Sequence, residues 1–246
     1  MQQSDRGEEV TLDDSPDGPD TLDMADAPAR FSGSIAVMPE PRSGTDQRIA
    51  FHGLDWSQYE SMLVIRGERP AVRMTYLEGS LELMTPAVEH EKIKKCMARL
   101  IEAYAEVHDL DLNGHGAWSL RSERNQCGTE PDECYVLGVA KPIPDLVVDV
   151  AWTEGGLDKL PVYQRMGIPE AWVWTREGIE IHRLRSGGYV QVGRSELLPK
   201  IDLGLLARCI VPDAQTQAVR AFREALRGDG PALQKPNATG PRPRKP

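Results

Sequence analysis

The chain has 246 residues, 29 Lys and Arg against 38 Asp and Glu, a formal charge of −9 and an apolar fraction of 40%. That length supports one domain or two small ones with a sizeable core. No run approaches the roughly 18 apolar residues of a membrane span and no secretory leader follows Met1, which predicts a soluble, cytoplasmic protein whose acidic balance argues against a broad phosphate-binding surface.

Residues 1–48 carry eleven acids and four bases with many Pro and Gly, a composition that predicts a disordered acidic arm. Asp55 is placed to cap a short helix over 55–66, ahead of Tyr59, Met62 and Leu63. Segments 72–77 and 81–84 alternate around Glu78-Gly79, a hairpin signal. After Pro86, Ile93, Met97, Leu100, Ile101, Tyr104 and Val107 fall on one face of a long helix. Strands are predicted over 118–121, 132–137, 145–152, 171–175, 179–184 and 189–192, with Ser186-Gly-Gly188 turning the last pair into a hairpin. A short helix over 158–166 is closed by Gly167, and a terminal helix over 213–227 is expected to be capped by Asp213. From 228 the chain is Pro-rich, holds four bases and one acid, and reads as an extended basic tail. The expected organisation is therefore an arm (1–48), a domain (49–212), a C-terminal helix (213–227) and a tail (228–246). The fold class is α/β or α+β, with one central sheet flanked by helices.

Chemistry concentrates in the middle of that domain. Asp149 interrupts an apolar strand, and a buried carboxylate needs a cation, a metal or a strand-end position. Asp145 opens the same strand about 13 Å away, too far to share an ion with Asp149, and reads as a turn residue. Asp132, seventeen positions before Asp149, opens the preceding strand. A return strand would bring the two carboxylates about 5 Å apart. Such a pair suits a hard divalent cation that keeps several waters. Lys159, in the first turn of the following helix, is placed to orient a water or neutralise phosphate charge; a solvated surface lysine is the ordinary alternative. Other chemistries fail on their spacing. His90-Glu91 begins a zinc-protease pattern, but Lys94 occupies the second histidine position. Glycine-rich phosphate loops and GxSxG are absent, and Cys96, Cys127, Cys134 and Cys209 lack zinc spacing, with Cys96 and Cys209 read as core residues.

Six segments taken together resemble one family: Thr75-Tyr-Leu-Glu-Gly-Ser-Leu-Glu-Leu-Met-Thr-Pro, Glu89-His-Glu, Glu130-Pro-Asp-Glu-Cys-Tyr, Pro144-Asp-Leu-Val-Val-Asp-Val, Gly156-Leu-Asp-Lys-Leu-Pro-Val-Tyr and Gly167-Ile-Pro-Glu-Ala-Trp-Val-Trp. They resemble the Uma-two family of restriction-endonuclease-like proteins in the PD-(D/E)XK nuclease superfamily, over about residues 50–212. The resemblance implies a restriction-endonuclease-like fold, a mixed central sheet flanked by helices, cutting phosphodiester bonds in DNA with Mg²⁺ or Mn²⁺. It implies Asp132 and Asp149 as metal-side acids, with the Val150 carbonyl as a further ligand. The superfamily's lysine position, two residues after the second acid, is Ala151 here; the resemblance moves that role to Lys159, with Tyr163 one turn later. Pro161 then requires the helix to start near Asp158. Glu82 and His90 match recurring family positions, as an additional acid and as a group orienting water or phosphate, with a structural hydrogen bond as the equal alternative for each. A nuclease-like module that binds nucleic acid or a protein without cutting is the rival reading, and a homodimer would suit two-strand cleavage. Lys92, Lys94, Lys95 and Arg99 cluster on the long helix as a local phosphate-facing surface.

Overall fold

The computed structural model describes residues 44–67, 71–151 and 156–228. The acidic arm through 43, Trp152 and the tail from 229 lie outside the described residues.

Local signals account for the first half of the fold. Strand β1 (Gln47–His52) precedes helix α1 (Trp56–Arg66). The Asp55 carboxylate accepts the Gln58 N–H at 2.9 Å while the Gln58 side chain accepts the Asp55 N–H, a reciprocal cap. Strands β2 (Arg73–Leu77) and β3 (Ser80–Thr85) are joined through Glu78 (φ 44°) and Gly79 (φ 90°). Two consecutive positive φ values match the right-handed twist of the paired strands. Helix α2 (Val88–Val107) follows, burying Ile93, Met97, Leu100, Ile101 and Tyr104. Short strands β4 (Leu112–Gly114), β5 (Leu120–Ser122) and β6 (Cys127–Thr129) lead to β7 (Glu133–Leu137), β8 (Leu146–Val150) and helix α3 (Leu160–Met166). Strands β9 (Glu170–Thr175), β10 (Gly178–Arg185) and β11 (Gly188–Val192) then precede helices α4 (Leu203–Cys209) and α5 (Gln215–Arg227).

The strands divide into two sheets where composition suggested one. An antiparallel sheet has the order β1-β3-β2-β6-β5, and a mixed sheet has the order β11-β10-β9-β8-β7-β4. Within the mixed sheet β8 and β9 are parallel, connected through α3, and the remaining pairs are antiparallel. Helices cover both of its faces. Leu146, Val148, Val150 and Trp172 pack against α2, α4 and α5, whereas Val147 and Ala171 pack against Tyr163 and Ile168 on the α3 side. A strand buried on both faces reads as a continuous apolar run, and Asp149 stands out in β8 for that reason. The mixed α+β class agrees with the sequence expectation.

Three features differ from it. β1 begins at Gln47, so the folded unit reaches back past residue 48. Helix α5 shares the α2 core through Val219 and Phe222. Asp213 does not cap α5; it lies in a 3₁₀ turn (Pro212–Ala214) and accepts the Lys92 ammonium at 2.8 Å. Lys92 stays 41% exposed in that ion pair. Lys94 pairs with Glu91, and Arg99 donates to Gln215 and Thr216. All four cysteines are buried and free. No helix among the described residues is long and apolar enough to cross a membrane.

Gly128 in β6 marks a close approach between the antiparallel sheet and α1. A Cβ there would lie 2.4 Å from the Tyr59 hydroxyl, and the Tyr59 ring is held by stacking on Tyr76 at 4.8 Å. Gly128→Ala is therefore expected to destabilise the protein by about 1–3 kcal/mol, measured as a lower urea midpoint at unchanged slope.

Candidate active site

The parallel β8-α3-β9 unit opens a cleft at the carboxyl end of β8, where α/β sheets commonly place ligand sites. Its volume is about 410 Å³, and Asp132, Asp149, Lys159, His90 and Tyr163 line it. The β7–β8 ladder pairs Glu133 with Val148. One further step of this register sets Asp132 opposite Asp149, and the Asp132 N–H donates to Asp149 Oδ1 at 3.2 Å. Helix α3 starts at Leu160 with Lys159 at its cap position and Pro161 inside the first turn, where proline is tolerated. Lys159 Nζ reaches Asp149 Oδ1 at 2.7 Å and the Glu130 carbonyl at 3.2 Å. One turn later the Tyr163 hydroxyl donates to Asp149 Oδ2 at 2.5 Å. Burial, reinforced by the Asp149 charge, raises the Tyr163 phenol well above 10, so it stays a hydrogen-bond donor.

Asp132 is held from the opposite side. Its Oδ2 accepts the Val150 N–H at 2.8 Å and His90 Nε2 at 2.9 Å. Its Oδ1 lies 3.1 Å from Arg73 Nη1 yet accepts no hydrogen bond. Burial favours the neutral acid, but the His90 hydrogen bond and the charges of Lys159, His90 and Arg73 outweigh it and hold Asp132 well below its ordinary 3.8. For His90, burial disfavours the imidazolium; hydrogen bonds to Asp132 and Asp46 prevail and raise it to about 9. The second ring nitrogen lies 3.3 Å from Asp46, whose carboxylate also accepts the Ala87 N–H at the start of α2 and pairs with Arg48.

Glu82 is connected to this cluster without joining the two aspartates. It pairs with Arg48 at 3.0 Å and accepts the Leu157 N–H at 2.9 Å, fastening the segment ahead of Lys159 to β3. Asp145 sits at the far end of β8, accepting the Leu137 N–H and pairing with Lys141. Four residues to which the motifs assign no role complete the arrangement: Asp46, Arg48, Arg73 and Glu130. Glu130 accepts Arg66 from α1 and the Ser119 hydroxyl, tying the loop before Asp132 to α1 and to the residue ahead of β5. Arg73 donates to the Pro131 carbonyl at 3.0 Å and pairs with Glu91. An arginine opening the largely apolar run Arg73-Met-Thr-Tyr-Leu77 was the available signal for this group.

A family model described as "Putative restriction endonuclease", Uma2, matches residues 56–208. The chain belongs to the Uma2 family. No curated protein matches it. The Uma2 match starts at the first residue of α1 and ends within α4, so Asp46, β1 with Arg48, and α5 lie outside it. Both elements nonetheless complete the Uma2 fold here, β1 through the site's ion pairs and α5 through the core.

The residues also bear on a divalent cation, which the superfamily implies. Among the described residues no three Asp, Glu, His or Cys side chains converge as a metal-ligating group. The buried Asp132 Oδ1, with Arg73 Nη1 3.1 Å away, is nevertheless a hard donor that accepts no hydrogen bond. Two carboxylates completed by water and backbone oxygen suit Mg²⁺, which retains much of its hydration shell, and the donor set fits to that extent. Asp46, Glu82, Asp132 and Asp149 are matched by Arg48, Arg73, Lys159 and the His90 imidazolium, so these four acids are compensated within the cluster.

Proposed function

We propose that this Uma2 protein is a metal-dependent endonuclease that hydrolyses phosphodiester bonds in DNA, using Mg²⁺ or Mn²⁺. One observation carries the reading: Asp132, Asp149 and Lys159, from a loop, a strand end and a helix start, meet in one cleft with Lys159 Nζ 2.7 Å from Asp149. Asp132 and Asp149, with the Val150 carbonyl, would hold the ion. A bound divalent cation supplies Lewis-acid neutralisation of charge on the scissile phosphate. Lys159 brings three N–H donors and a positive charge to the same place, suited to orienting the attacking water or stabilising a phosphate oxygen. It takes the part of the superfamily lysine that Ala151 lacks, approaching from α3 instead of from β8. Tyr163 fixes the Asp149 carboxylate, while Arg73 and His90 fix Asp132. Cutting both strands of a duplex would suit a two-fold pair of such sites.

Plasmid cleavage with Mg²⁺ or Mn²⁺ tests the assignment. Wild type is expected to nick or linearise DNA and to stop with EDTA, and Asp149→Ala and Lys159→Ala to lose at least about 100-fold in rate. Cleavage untouched by both substitutions would remove the assignment. DNA binding without cleavage by wild type would make the chain a non-cutting module.

A further inference from the structure

The polar groups on the two walls of the cleft are committed differently. On the near wall Asp149 is engaged by Lys159, Tyr163 and the Asp132 N–H, and Asp132 by His90 and Val150. The far wall is the outward face of β9 and β10, where Thr175, Glu180 and His182 line the same cavity. Glu180 and His182 lie 3.3 Å apart, and among the described residues their side chains hydrogen-bond only to each other. The Glu180 side chain remains 40% exposed, accessible to a molecule entering the cleft.

Their position follows from sheet register. Val173 is paired with Asp149 on one side and Glu180 on the other, so Asp149, Val173 and Glu180 form one row on the α3 side of the mixed sheet. His182 occupies the next row on that face, level with Ala171 and Val147. Two strand spacings separate Glu180 from Asp149 by about 10 Å at Cα. Among the described residues Glu180 makes no hydrogen bond to either aspartate and opens on the same cavity, beside any phosphodiester the cleft would take. A carboxylate repels phosphate and can only accept hydrogen bonds, so from DNA it selects an amino group on a base edge.

We propose that Glu180, supported by His182, is a base-reading element of the cleft that accepts the exocyclic amino group of a cytosine or adenine next to the cut. This rests on the phosphodiester reading, and it adds sequence preference to it. The Nε2 contact orients Glu180 and leaves His182 Nδ1 available for a second contact on the same base.

The test separates binding preference from cleavage. A randomised duplex DNA pool is bound with Ca²⁺ in place of Mg²⁺ by wild type, Glu180→Gln and His182→Ala, each first shown folded by circular dichroism, and the retained DNA is sequenced. Wild type is expected to enrich an amino-bearing base at one position by at least about fivefold. Glu180→Gln, which replaces half the acceptor with a donor, should lose or redirect that enrichment, and His182→Ala should blunt it. Identical enrichment in wild type and Glu180→Gln, or no base bias and no DNA retention by wild type, overturns the proposal. Parallel plasmid cleavage by wild type reports on the nuclease reading alone: a base bias without cleavage retains the reading element and removes the catalysis.

Discussion

Asp132→Ala is expected to destabilise this protein by roughly 3–5 kcal/mol, the cost of removing one partner from a buried charge cluster. Asp132 is 1% exposed, and the change leaves Arg73, itself 6% exposed, facing a cavity. The substitution also frees the Val150 N–H and one nitrogen of His90, which had shared Oδ2. Asp132→Asn separates the contributions. An amide keeps the volume and an oxygen acceptor for Val150 but removes the counter-charge of Arg73 and His90, so an intermediate loss is expected. Urea unfolding of both variants measures this, with cleavage lost in both if Asp132 is a metal-side acid. A loss below about 1 kcal/mol for Asp132→Ala would show that Arg73 and His90 find other partners and that the cluster is not a structural centre.

Stability should fall on the alkaline side because of His90. Its folded value of about 9 lies above its ordinary 6.5, so the folded state holds the proton more tightly. The resulting stabilisation is complete below about pH 6.5 and is lost as pH rises through about 9, a change of order 3 kcal/mol. Asp132 has the opposite sign: its value is depressed, so its contribution is present above 3.8 and is lost as pH falls below that. The two report largely one interaction and are not additive. Maximum stability is expected between about pH 4 and 6.5. Denaturant midpoints at pH 5.5, 7.5 and 9.5 for wild type and His90→Gln test it, the variant lacking the decline between 6.5 and 9. Parallel curves would mean that His90 is not the group responsible.

The features readable from sequence share one property: their cause lies within a few residues. The Asp55 cap, the Glu78-Gly79 turn, the stripe on α2 and the Gly167 stop of α3 are local and appear close to where composition and spacing put them. β4 and β6 have three residues each, too short for an alternating pattern to register. α4 follows the same limit, with seven residues lacking a distinct stripe. β1 straddles the expected arm boundary at 48, and its six residues carry no alternation of buried and exposed positions for a strand pattern to register.

The candidate site divides along the same line. Asp132 and Asp149 were conspicuous because a carboxylate in an apolar strand costs several kcal/mol unless something compensates it. What compensates it was not legible. Arg73 lies 59 residues from Asp132, Asp46 lies 44 from His90, and Lys159 reaches Asp149 only because α3 folds back over β8. Sequence alone pointed to a mixed α+β chain with two conspicuous carboxylates beside its apolar strands, since burial patterns and isolated charges are properties of neighbouring residues. The split into two sheets, the cationic frame around Asp132 and the cleft shared by Lys159 and Glu180 came only with tertiary structure, because ion pairs and sheet register depend on distances between residues far apart in the chain.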